Sequence, residues 1–502
     1  MTTIFMSVEK HPRPDFTERD LPLDDQQLSN RETWMMEIGN WREDHSIPSV
    51  GEHYRYMWKW DSLKAAVINA RRNDPSRAAT ELITLERYRD TSTGFMPNKI
   101  FATADHKTWR DYPEAWNFNN NKIGTSYSQP PIEAWAAIET YKSFVRVNKE
   151  SDGLKFLQSI YGYADENNRT GLQGEHAYFI DYRQNNQHDR LIGIVHPNET
   201  GRDSDEANKP WLTRNNALGK SALHEWLHMQ KLGWDLGRLG RDPNKQRVDW
   251  IPEQVRQKYW VNDVMFNAMH ANNMRYLADI ADILSLHQPT KWSKEQYATD
   301  SEKYRNIATE VEQEILHRMW DDKNEFFYNL DQNGNQINVP SITGLFPLML
   351  EGISDEHIAA LLEKLEDPEW FASPYPIPTH AVCSEFYDPD PKRFKGTFTP
   401  QWSGPVWIDT NHLIVEEGLV PRFESLCEAD RNRSSRLLAK RAINTSVVVR
   451  DKTKELLANN LKSMEYYSSV TGKGQRVADF MWSNLGLHFE KLNSAEAKSQ
   501  DL

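Results

Sequence analysis

Tyr304-Arg-Asn-Ile307-Ala-Thr-Glu-Val311-Glu-Gln-Glu-Ile315-Leu-His-Arg-Met319 places its apolar residues at steps of three and four. That step returns to the same side of a 3.6-residue turn, so the stretch predicts one helix with a single buried stripe. The pattern recurs at Ile132, Trp135, Ile138, Tyr141 and Val145, at Met265, Met269, Tyr276, Ile280 and Leu284, and at Ile358, Leu361, Leu362 and Leu365. Strand-like alternation is scarce by comparison. The chain therefore reads as all-α.

Between the striped segments run long connections rich in Pro, Gly, Asn, Asp and Trp: 94–113, 196–215, 368–405 and 468–475. Loops of this length without structure of their own are functional or disordered, and their tryptophans argue for function. Residues 1–50 read as a polar lead-in with one short helix near 27–41, and 51–490 as a single catalytic domain. Residues 212–257 read as a helical insertion, placed to act as a lid or a dimer contact, and 491–502 as a polar tail.

Composition removes several classes of function. The 502 residues include 18 Trp and are 38% hydrophobic, enough for a large core, yet no run approaches the ~18 apolar residues of a membrane span. A net charge of −13 and the lack of a basic, aromatic-interleaved run argue against nucleic acid and against anionic membrane surfaces. Two cysteines, Cys383 and Cys427, make no disulfide framework, and the N-terminal residues lack an apolar signal core. A cytoplasmic protein is expected, with homo-oligomerisation left open.

Two segments far apart in the chain carry candidate chemistry: His196-Pro-Asn-Glu-Thr-Gly-Arg-Asp-Ser-Asp-Glu206 and Met464-Glu-Tyr-Tyr467. Each supplies a carboxylate, Asp203 and Glu465. Glycoside hydrolysis needs such a pair, one acid to protonate the leaving oxygen and one base or nucleophile across the ring. By residue type alone, Asp203 would be a helix cap and Glu465 a solvated helix-end carboxylate. What favours the pair is its aromatic company, Tyr54-Arg-Tyr-Met-Trp-Lys-Trp-Asp-Ser62, Gln129-Pro-Pro131 and Gln401-Trp-Ser-Gly-Pro-Val-Trp407. Indole and phenol faces bind the apolar faces of a pyranose, while Asp and Gln hold its hydroxyls.

Taken in order with Gly94-Phe-Met-Pro-Asn98, Ser128-Gln-Pro-Pro131 and Thr343-Gly-Leu-Phe-Pro-Leu348, these motifs resemble the series of glycoside hydrolase family 63 from about Tyr54 to Trp482. Within that family the likeness extends to the short bacterial-type glucosylglycerate and mannosylglycerate hydrolases. The resemblance implies an (α/α)6 barrel whose inter-helix loops build the active site at one end. It further implies an inverting α-glycosidase of compatible-solute type, with Asp203 as general acid and Glu465 as general base. Tyr54, Trp58, Trp60, Asp61, Gln129, Arg202, Trp402, Trp407 and Tyr466 are then the expected substrate-binding residues. Arg241 is the positional candidate for a substrate carboxylate.

Departures from the family pattern at Asn198, Gln401, Ser403 and Ser468-Ser469 keep both carboxylates but leave the aglycone open. Glucosylglycerol, glucosylglycerate and mannosylglycerate all fit as the small-molecule substrate, and no cofactor or metal is expected. The competing signal is His224-Glu-Trp-Leu-His228, a His-Glu-x-x-His string that on a helix would make Glu225 the base of a zinc metallopeptidase, with Glu253 within reach as a third ligand. A third reading is a sugar-binding protein without catalysis, which the presence of both carboxylates argues against.

Overall fold

Ser293 begins the helix that the first stripe predicts: its hydroxyl accepts from the Gln296 N–H at 3.1 Å, and the helix Lys294–Arg318 follows. Tyr304, Val311, Ile315 and Met319 are buried against the long helix Val264–Leu286, itself capped by Asp263 through the Phe266 N–H. Ile307 is half-buried at the edge of this contact. The other stripes form Glu133–Arg146 and Asp355–Glu366, with one exception, Val145, which is exposed near the end of its helix. The computed structural model describes residues 13–50, 54–101, 124–125, 127–164, 168–186, 189–209, 256–257, 259–287, 293–391, 401–427 and 433–499.

An inner ring closes through side-by-side packing. Lys59–Arg71 packs on Glu133–Arg146, which packs on Val264–Leu286, which packs on the 3-10 segment Ile342–Met349. That segment meets Ile414–Leu419, the π-helical continuation of Ile408–Leu413, and Ile408–Leu413 meets Met481–Leu487. Met481–Leu487 returns to Lys59–Arg71. Gly344 lets the 3-10 segment pass close to the short strand Phe326–Phe327, since a Cβ there would lie 2.3 Å from the Phe326 ring. Pro75–Glu86, Glu150–Tyr161, Lys294–Arg318, Asp355–Glu366 and Arg433–Ala458 stand outside this ring, each against an inner neighbour. The fold is an (α/α)6 barrel.

Both chain ends of the described region pack onto the barrel. Leu23 and Leu28, at the start of helix Asp25–Trp34, share a core with Leu456 and Leu457. Of residues 491–502, expected as a polar tail, 491–499 instead belong to the helix Glu490–Ser499, because Leu492 and Ala495 give it a buried face and Lys491 pairs with the buried Glu417 at 2.7 Å. Almost all of the expected insertion at 212–257, including His224, Glu225, His228, Arg241 and Glu253, lies outside the described residues. No helix among the described residues is long and apolar enough to cross a membrane.

Candidate active site

The segments entering the inner helices converge on one end of the ring. Trp58, Trp60 and Asp61 stand at the first turn of Lys59–Arg71, Gln129 just before Glu133–Arg146, Trp407 at the cap of Ile408–Leu413, and Phe480 and Trp482 at the start of Met481–Leu487. Together with Asp203, Glu465 and Tyr466 they line a cavity of about 730 Å³, within the range of small-molecule sites. Sequentially remote residues meet here because four of the inner elements present the same end.

Glu465 lies on the strand Met464–Tyr467, paired antiparallel with Gly474–Ala478. This hairpin is one of six two-stranded sheets among the described residues of a mainly helical fold, so Glu465 stands on a strand and not at a helix end. The Tyr54 hydroxyl donates to Glu465 Oε1 at 2.7 Å, and Arg476 Nη1 lies 3.3 Å from the same oxygen. Oε2 has no hydrogen-bond partner among the described residues. Burial pushes the Glu465 carboxyl up to about 7, while Arg476 and the Tyr54 hydrogen bond work in the opposite direction.

Asp203 is held by a loop whose internal bonds are nearly all satisfied. Gly201 takes φ +73° after the short turn Pro197–Thr200 and so reverses the chain toward Asp203. Glu199 ion-pairs Arg183 at 2.6 Å and accepts from the Val195 N–H at 2.8 Å. Gln401 then donates to Asp203 Oδ1 at 2.9 Å, and the Trp402 N–H donates to Ser204 Oγ at 3.2 Å. The second loop thereby fixes the first.

The aromatic wall is layered. Trp407 stacks on Tyr466 with ring centres 5.0 Å apart, and Trp402 stacks on Trp407 at 3.8 Å. Trp402 was expected in contact with substrate; instead it is absent from the cavity lining and backs Trp407, because the two indoles lie nearly parallel, 9° apart. Around the cavity the Asp61 Oδ1, the Gln401 Oε1 and the indole N–H groups of Trp58 and Trp60 lack hydrogen-bond partners among the described residues. Buried polar atoms left unpaired are costly, so such atoms concentrated at a cavity suit a ligand rich in hydroxyls.

Arg202 departs from expectation. Although adjacent to Asp203 it is fully buried and turned away from the cavity, bonded to Asp205 at 2.9 Å and to Asp263. A guanidinium in low dielectric takes carboxylate partners wherever they are, and here they lie beneath the loop. Asp205, Glu206 and His380 have carboxylate and imidazole atoms within 4.8 Å of one another, a grouping that could hold a metal. Asp205 is already saturated by Arg202, Ser341, His380 and the Ala207 N–H, and Glu206 pairs with Lys209. The cluster works as a brace for the Asp203 loop.

Sequence reasoning passed over Arg476, Lys99, Phe480 and Trp482 as site residues, yet all line the cavity. Asn98 and Gln401 stood in quoted motifs without a role and line it too. For Arg476 no local signal existed, because only the pairing of Gln475 with Tyr466 carries it to Glu465.

A family model described as the mannosylglycerate hydrolase MGH1-like glycoside hydrolase domain matches residues 54–483. The mannosylglycerate hydrolase of Thermus thermophilus is 23% identical over 467 residues, 88% of this chain and 96% of that protein. The glucosylglycerate hydrolase of Mycolicibacterium hassiacum is 23% identical over 384 residues, covering 70% and 78% respectively. The crystal structure of a GH63 mannosylglycerate hydrolase from Thermus thermophilus in complex with Tris matches with a TM-score of 0.69 and 22% identity, over 92% of this chain and 100% of that one. These matches give the zinc metallopeptidase alternative no support.

Proposed function

This chain belongs to the mannosylglycerate hydrolase MGH1-like glycoside hydrolase family, within glycoside hydrolase family 63, and is an O-glycosyl hydrolase; we propose that it cuts a small α-glucoside or α-mannoside of a glycerol-type aglycone with inversion. Glucosylglycerol, glucosylglycerate and mannosylglycerate are the candidate substrates. The observation that carries this reading is the meeting of Asp203 and Glu465 in one tryptophan-walled cavity. The names of the mannosylglycerate and glucosylglycerate hydrolases similar to this chain support the aglycone class.

In the proposed step Asp203 gives its proton to the glycosidic oxygen as the bond from that oxygen to the anomeric carbon breaks. A water attacks the opposite face of the sugar and passes a proton to Glu465. The products are the free sugar with inverted anomeric configuration and the aglycone alcohol; solvent then reprotonates Asp203 and deprotonates Glu465. Asp61 and Gln129 bind ring hydroxyls while Trp407 and Tyr466 wall the ring. Inversion requires a carboxyl separation of roughly 6.5–9.5 Å so that a water fits beside the sugar.

The test is hydrolysis of a panel of glucosylglycerol, glucosylglycerate, mannosylglycerate, trehalose, kojibiose and maltose, with the first-formed anomer followed by NMR. Release of the β-anomer from a glyceryl α-glycoside is expected. Initial release of the α-anomer would refute inversion, and preference for the disaccharides would refute the aglycone class.

A further inference from the structure

Arg476 reaches the cavity from an unusual piece of backbone. Met464 pairs with Ala478 and Tyr466 with Gln475, so the register shifts between them and a bulge forms opposite Glu465. Within that bulge Arg476 adopts φ +65°, the left-handed region that non-glycine residues rarely occupy. Strain of this kind persists where surrounding contacts over-determine it, and the contact it delivers is the one to Glu465.

The two oxygens of Glu465 are treated differently. Oε1 receives both the Tyr54 hydroxyl and the Arg476 guanidinium, whereas Oε2 receives no hydrogen bond from the described residues. We propose that Arg476 is a positioning residue that, together with Tyr54, holds Oε1 of Glu465 and keeps this buried carboxyl ionised for its work as the base. The proposal rests on the reading of Glu465 as the general base.

The charges around Glu465 explain why a cation is needed. Asp61 faces it from the first inner helix, Asp203 from the loop opposite, Tyr54 from the segment before that helix, and Tyr466 from its own strand. The Val477 N–H and Arg476 approach from the partner strand. Burial and Asp203 both favour the protonated, inactive form of the base, and Arg476 offsets them. Lys99, the other basic residue among the described cavity-lining residues, stands over the Tyr56 and Trp58 rings, 4.1 and 5.5 Å from their centres.

Arg476→Asn and Arg476→Lys separate charge from backbone, because Asn tolerates the left-handed conformation and Lys keeps the charge. The pH profile of kcat/KM on α-glucosyl or α-mannosyl fluoride isolates the base, since fluoride departs without strong protonation. Arg476→Asn should move the acid limb up by about one pH unit or more, with most activity regained on the high-pH plateau, while Arg476→Lys stays near wild type. An acid limb that stays in place, whatever happens to the plateau, would overturn the proposal. Glu465→Gln serves as the control. If it keeps wild-type turnover, the assignment of the base has failed; if it is inactive while Arg476→Asn has a wild-type limb, only the role of Arg476 has failed. Melting temperatures of all variants report folding, and the Lys variant carries the test should the Asn variant not fold.

Discussion

Lys64 and Asp409 form an ion pair in which neither side chain is exposed to solvent. The ammonium stands between two cavity-lining indoles, 3.6 Å from the centre of Trp60 and 3.8 Å from that of Trp482. Burial pulls the lysine down to about 8 against the pull of Asp409, and it pushes Asp61, three residues earlier on the same helix, up to about 7. Removing one partner of a buried pair leaves an uncompensated charge, so Lys64→Met should destabilise the fold by about 3–5 kcal/mol. Lys64→Met with Asp409→Asn should restore most of that loss. Denaturant unfolding of both variants checks this, and a single variant as stable as wild type would show the pair to be irrelevant.

Asp203 should matter in proportion to how badly the leaving group needs a proton. Asp203→Asn is expected to slow hydrolysis of a glyceryl glycoside by about 10²–10⁴-fold, as loss of a general acid does, while turnover of a glycosyl fluoride is largely spared. Equal loss on both substrates would assign Asp203 another role. Azide should rescue Glu465→Ala but not Asp203→Ala, and the product should be the glycosyl azide of inverted configuration. That comparison is needed because a raised carboxyl pKa is also the usual mark of a proton donor.

The pH dependence follows from Glu465. The proposed base works as the carboxylate, and burial holds it near 7, so kcat/KM should fall as pH drops through about 7 rather than through the ordinary carboxylate range. A pH–rate profile on the fluoride substrate measures this. An acid limb near 4 would contradict the electrostatics of the site.

The end of the barrel away from the cavity has its own pH signature. His488 bonds Glu32 and lies 3.5 Å from Glu490, and these carboxylates outweigh burial to raise its pKa to about 9. A histidine raised on folding contributes stability that is complete below its unfolded value, near 6.5, and is lost as pH rises through 9. The melting temperature of His488→Gln should therefore fall well below wild type at pH 6 and converge on it above pH 9. A gap constant across that range would exclude the ion pair as its source.

Helices were legible wherever their stripes were regular: Lys294–Arg318 and Asp355–Glu366 follow from spacing. The hairpin carrying Glu465 was not, because its short strands are specified by pairing with each other rather than by alternation. Arg202 shows the limit of adjacency, since one residue along a tight loop turns a side chain from the cavity to the core. The helix Glu490–Ser499 shows the limit of composition, because a polar segment with two well-spaced apolar residues can still dock.

By itself the amino-acid sequence determined the helical class, the family-63 likeness and the carboxylate and aromatic residue types available for chemistry, because periodicity and motif order are properties of the chain. Only the tertiary structure decided which oxygen of Glu465 is pinned, which tryptophan backs another, and which arginine reaches the cavity. Those outcomes depend on through-space distances and on burial, which arise when the inner ring closes and brings remote loops to one end.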